Sequence, residues 1–114
     1  MFDVDDTLVK WSPTPEEIAM KGITMEFTDV DGNVLSTKIV PHSVHVEQLK
    51  KHKIRKHTIG VWSAGGSLWA KEAVKALGLE PYVDFVISKP TWCYDDKTPN
   101  EYIPPSQYIK DTES

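Results

Sequence analysis

The stretch from Thr58 to Ser88 constrains the fold more than any other part of the chain. An apolar run, "TIGVW", is followed by the helical pattern "SLWAKEAVKALGL" and then by a second apolar run, "YVDFVIS". Two short strands joined through a helix cannot form a hairpin; they lie parallel in one sheet with the helix packed over it. In the helical pattern Trp69, Ala73, Val74 and Leu77 share one face, and Gly78-Leu79 provides a C-terminal stop.

Upstream the punctuation is equally readable. "TPEEIAMKG" carries Thr14 as N-cap, Pro15 at the first helical position and Glu17 three residues after the cap, with Gly22 as the stop. That is a capping box opening a helix of barely two turns. "ITMEFTDVDGNVLSTKIV" alternates on either side of Asp31-Gly32, which predicts antiparallel strands at 24–28 and 34–39 joined by a tight turn. A helix of roughly 43–53 follows, with Ser43 as the expected cap. From Pro99 the chain is polar and proline-rich. With the short apolar start Met1–Val4, the order is strand, inserted hairpin, helix, strand, helix, strand. An α/β domain on a parallel sheet is expected. Ligands of such sheets bind beyond the carboxyl ends of the strands. The polar residues that follow strand ends are Asp3 and Asp5, Ser63, Lys89, and Asp95 with Asp96.

Composition sets outer bounds. The 114 residues suffice for one modest core, and 39% hydrophobic with 26% charged residues is the balance of a globular chain. No apolar run approaches the ~20 residues of a membrane helix. The start lacks the basic and apolar regions of a signal peptide. Cys93 is alone, so no intrachain disulfide can form, and a cytoplasmic setting is expected. The net charge of −4 argues against a dedicated nucleic-acid binder.

Four of these segments carry a family resemblance. "DVDDT" at 3–7 is similar to the D-x-D-x-T signature of the haloacid dehalogenase-like phosphohydrolases. "GVWSAGG" resembles their second motif, "VISKP" the third with its lysine, and "WCYDD" the fourth with its paired acids. All four stand in the family's order over residues 2–96. The resemblance implies a Rossmann-like three-layer sandwich and a Mg²⁺-dependent phosphatase that works through an aspartyl phosphate. It makes Asp3 the nucleophile and Asp5 the general acid and base. Ser63 would bind a phosphoryl oxygen, and Lys89 would neutralise charge. Mg²⁺ would be held by Asp3, the Asp5 carbonyl, Asp95 and perhaps Asp96.

These residue types suit phosphoryl transfer, because charge spread over the phosphoryl oxygens calls for cations and oriented donors. The short insert resembles that of nearly capless family members, with the hairpin as a flap beside an open site. The expected partner is a phosphorylated small molecule, a nucleotide included, or an exposed phosphate on a macromolecule.

Two rivals carry different expectations. A catalytically inactive, family-like binding module would keep the fold without turnover. A signalling receiver domain needs a phospho-accepting aspartate after its third strand, and the only acids of that kind, Asp29 and Asp31, fall in the hairpin turn.

Other features are read as structural. "DVDG" at 29–32 has its glycine too early for a calcium loop. His42 and His45 have ligand spacing, but no third ligand lies near them. "KKHKIRKH" at 50–57 ends a helix that leads into a strand, so it belongs at the amino edge, opposite the chemistry. Its cations favour the helix C-terminus. Trp62 and Trp69 are expected in the core, and Trp11 either lines the site's mouth or lies on the surface.

Overall fold

The structure is a computed structural model and describes residues 1–29 and 31–90. The strand–helix–strand reading of 58–88 is realised as a parallel pair. Strand β4 (Gly60–Ser63) leads into helix α3 (Ser67–Ala76), which returns the chain to β5 (Phe85–Ser88). The register runs from Gly60 opposite Phe85 to Ser63 opposite Ser88. On the other side of β4 lies β1 (Phe2–Asp3), also parallel, with Phe2 opposite Val61 and Asp3 opposite Trp62. The sheet order is therefore β1-β4-β5.

Helix α1 (Pro15–Lys21) opens on the expected reciprocal cap. The Glu17 N–H donates to Thr14 Oγ1 at 3.1 Å, and the Thr14 N–H donates to Glu17 Oε1 at 3.0 Å. The hairpin strands β2 (Ile23–Thr28) and β3 (Val34–Ile39) pair from Ile23 opposite Ile39 to Thr28 opposite Val34. Their connection is wider than the tight Asp31-Gly32 turn expected. Residues 29–33 join the strands, and Asp29 Oδ1 accepts the N–H groups of Asp31 and Asn33, both at 2.9 Å. A short polar side chain that bonds the backbone ahead of it accounts for Asp29 here without a ligand.

Helix α2 (Ser43–Ile54) covers the expected range, but its cap differs. Ser43 is its first helical residue, and the N-cap is His42, which makes no side-chain capping bond. Two boundaries contract for a shared reason. The N–H groups of Asp84 and Phe85 donate to the Ile59 carbonyl at 2.8 and 3.4 Å, so regular pairing begins only at Gly60 and Phe85. Tyr82, read as the start of the last strand, instead closes a 3-10 turn, Glu80–Tyr82.

One apolar core joins the parallel sheet, the hairpin, α2 and α3. Val4, Leu8, Leu49, Val61, Ala70 and Leu79 are fully enclosed, together with Met25 of the hairpin. Alternate residues Ile23, Met25 and Phe27 of β2 turn inward, while Thr24, Glu26 and Thr28 face solvent. This period-2 face is packed against α3, so the hairpin expected as a flap is also a wall of the core. Helix α3 buries Ala70, Ala73 and Val74. Trp69 and Trp62, expected inside, are only partly covered, and Trp11 is 70% exposed. The architecture is α/β, with a three-stranded parallel sheet and a two-stranded antiparallel one. No helix among the described residues is long and apolar enough to cross a membrane.

Candidate functional site

Strand β1 ends at Asp3, and the chain then coils tightly on itself. The Val4 carbonyl accepts the N–H groups of Thr7, Leu8 and Val9 at 3.2, 2.9 and 3.1 Å. Closing so short a loop places Asp6 in the left-handed region, φ 63°, a conformation aspartate tolerates better than most residues. Val4 and Leu8 anchor the loop from below by complete burial. The flanking chain anchors it from the side: the Lys10 N–H donates to the Val40 carbonyl at 2.9 Å, and the His42 N–H donates to the Leu8 carbonyl at 2.8 Å. His45, buried and stacked on His42 with ring centroids 4.4 Å apart, donates from Nδ1 to the Thr7 carbonyl. That bond fixes the His45 tautomer and gives the two buried histidines a structural role.

This loop sets the Asp5 carboxyl over the end of β4. Ser63, the last residue of β4 and fully buried, donates from its hydroxyl to Asp5 Oδ2 at 3.4 Å. The same hydroxyl oxygen accepts the Gly65 N–H at 3.0 Å. A Cβ at position 65 would lie 3.3 Å from Ser63 Oγ and 3.5 Å from Trp69 Cδ1. Glycine there lets the turn, the serine and the indole close around one carboxyl group. The second Asp5 oxygen, Oδ1, accepts the Trp69 indole N–H at 3.3 Å. Both bonds are long. Burial raises the Asp5 pKa above the ordinary carboxylate value, and the negative charge of Asp3 pushes the same way. The Trp69 and Ser63 hydrogen bonds act against that rise.

Lys89 arrives at the same edge from β5. Its N–H donates to the Ser63 carbonyl at 2.8 Å, and its ammonium lies 5.9 Å from the centre of the Trp62 ring, at the outer limit of a cation–π contact. The structure therefore brings Asp3, Asp5, Ser63 and Lys89 to one end of the parallel sheet. Asp95 and Asp96 lie outside the described residues, as does Cys93. Among the described residues no group of three acids, histidines or cysteines is arranged to hold a metal ion.

Two participants were not legible as such in the sequence. Trp69 was assigned to the core from its helical spacing, and nothing local signals that its N–H meets a carboxyl group 64 positions earlier. Ser88 accepts the Ser67 N–H at 2.9 Å, so a strand residue satisfies the first turn of α3 where Gly66, φ 105°, offers no side chain.

An open hollow lies elsewhere, lined by Lys71, Glu72, Lys75, Glu80, Asp84 and Phe85. Because Phe85 begins β5, this hollow is at the amino edge of the sheet, away from Asp5. The basic end of α2 is at that edge as well, where Lys53 pairs with Asp84 at 2.6 Å.

Comparisons with protein-family models, curated proteins and solved structures found no match for this chain.

Proposed function

We propose that the chain is a Mg²⁺-dependent phosphomonoester hydrolase of the haloacid dehalogenase type, working through an aspartyl phosphate on Asp3. The observation that carries this reading is Asp5. A half-buried carboxyl group with a raised pKa sits beside a second carboxylate at the carboxyl end of a parallel sheet, held by two long hydrogen bonds. Paired carboxyl groups whose environments differ in this way are suited to divide nucleophilic and proton-transfer roles.

In the first step an Asp3 oxygen forms a bond to phosphorus as the bond to the leaving oxygen breaks. Asp5 gives that oxygen its proton, which burial helps it to retain. In the second step Asp5, now ionised, takes a proton from water as the water oxygen bonds to phosphorus. Phosphate leaves and the Asp3 carboxylate is restored. The Ser63 hydroxyl orients Asp5, and in this reading it would also bind a phosphoryl oxygen. Lys89 supplies positive charge from β5.

The donor set consists of hard oxygens, which suit Mg²⁺. Asp3 and the Asp5 carbonyl would hold it, with Asp95 or Asp96 from beyond the described residues. When bound, it contributes charge neutralisation for the phosphoryl oxygens and for the adjacent acids. The substrate class is a phosphomonoester, either compact or exposed on a macromolecule.

Turnover of an aryl phosphate with Mg²⁺, and again with excess EDTA, tests the reading. Activity only with Mg²⁺ supports it; undiminished activity in EDTA removes the metal. A folded chain that turns over neither aryl phosphate nor nucleotides would make it a binding module.

A further inference from the structure

The indole of Trp69 touches two things that are distant in sequence. On one side its N–H donates to Asp5 Oδ1 at 3.3 Å. On the other, its ring meets Phe27 of β2 edge to face, with centroids 5.0 Å apart and planes at 81°. Phe27 lies on the inward face of the hairpin, next but one to the fully enclosed Met25. Trp69 is in the first turn of α3, directly after the Gly65-Gly66 bend that also positions Ser63. The hairpin, the helix and the acidic loop therefore converge on a single side chain.

We propose that Trp69 is a positioning residue for Asp5, and that Phe27 holds it in place, so that the β2–β3 hairpin sets the orientation of the carboxyl group. The physical basis is directional. A carboxyl group with few hydrogen bonds has free rotation about χ2, and its terminal torsion is broad. Ser63 addresses Oδ2 and Trp69 addresses Oδ1, and two donors on opposite oxygens define the plane. The indole is aimed by its own packing, and an edge-to-face aromatic pair has a preferred geometry that aliphatic contact lacks. Loss of Phe27 would leave the N–H in place but free its direction.

The catalytic part of this inference rests on the phosphatase reading; the coupling itself does not. Two measurements separate them. The first is the Trp69 indole ¹H–¹⁵N resonance, identified by its loss in Trp69→Phe or, if that variant does not fold, by backbone connectivities. Asp5→Asn should move this resonance, and Phe27→Leu should move it and speed its exchange with solvent. A resonance unmoved by Asp5→Asn overturns the hydrogen bond. One unmoved by Phe27→Leu overturns the role of the hairpin.

The second measurement is aryl-phosphate turnover. Trp69→Phe keeps the ring but removes the donor, and should lower kcat about ten-fold with KM within about two-fold. Phe27→Leu should lower kcat in the same direction by a smaller factor, while Phe27→Tyr, which keeps the ring pair, should restore it. Equal kcat in Trp69→Phe and the parent chain overturns the positioning role. If the parent chain hydrolyses no phosphomonoester, the phosphatase reading fails, and the resonance measurements still decide the coupling.

Discussion

Two aspartates mark the two ends of the same parallel sheet, and they are held in opposite ways. Asp84, at the amino edge, accepts the Ile59 N–H at 2.7 Å and the Lys53 ammonium at 2.6 Å. Those short bonds, the backbone one first, hold its pKa below the ordinary value. Asp5, at the carboxyl edge, has donors at 3.3 and 3.4 Å and a carboxylate for a neighbour, and its pKa is raised. At the amino edge ionisation is favoured and ties the start of β4 to the chain entering β5. At the carboxyl edge burial disfavours ionisation. The two ends of one sheet are thus distinguished by how completely a carboxyl group is satisfied.

The comparison breaks most completely at Asp3, the proposed nucleophile. Asp3→Asn should reduce phosphatase turnover to the uncatalysed background while leaving the fold intact, since an amide is a poor nucleophile and a poor metal ligand. Undiminished turnover rules out the assignment.

Asp5→Asn comes next. General base catalysis is worth roughly 10²–10⁴-fold, and an aryl leaving group needs little protonation, so the second step should slow more than the first. Rapid acid quench and intact mass should then reveal one added phosphoryl group. Hydrolysis lost without that adduct, in a folded variant that binds Mg²⁺, assigns Asp5 to the first step.

The same variant and Asp84→Asn should differ in their effects on stability. The folded pKa of Asp5 is raised above 3.8, so its ionisation weakens folding progressively as pH climbs from 3.8 through the raised value. At neutral pH Asp5→Asn removes that penalty and should leave the thermal midpoint unchanged or higher. The folded pKa of Asp84 is lowered below 3.8. Its stabilisation is complete above 3.8 and is lost as pH falls through the lowered value. Asp84→Asn should therefore lower the midpoint at neutral pH, with turnover unaffected, and the difference should vanish in strong acid. Thermal melts from neutral to acidic pH measure both; a matching loss in the two variants would erase the distinction between the edges.

The smallest effect belongs to Glu17. Its pairing with Lys10 and the Thr14 N–H lowers its pKa to about 2. Since the group is only partly covered, solvent screens the pair and its contribution is local. Glu17→Gln should fray α1 at neutral pH, seen as faster amide exchange over Pro15–Lys21. The parent helix should keep its protection above 4.5 and lose it as pH falls towards about 2.

What the chain specified unaided was whatever could be decided within a few residues or by simple periodicity. The Thr14–Glu17 box closes over three residues, so it reads directly. The alternation of 23–28 and the strand–helix–strand order of 58–88 depend only on which neighbours are apolar. The clustering of Asp3, Asp5, Ser63 and Lys89 followed from that order, because residues after parallel strands share one edge. Tertiary structure alone decided the partners. Trp69 belongs to an apolar helical stripe by spacing, yet its N–H turns to Asp5 across 64 residues. Ser88 satisfies the first turn of α3 from a neighbouring strand, and Asp29 widens the hairpin connection by bonding the backbone ahead of it. Periodicity tells which side of an element is buried. A hydrogen bond depends on where a single atom on that side points, and only the packed core fixes that direction.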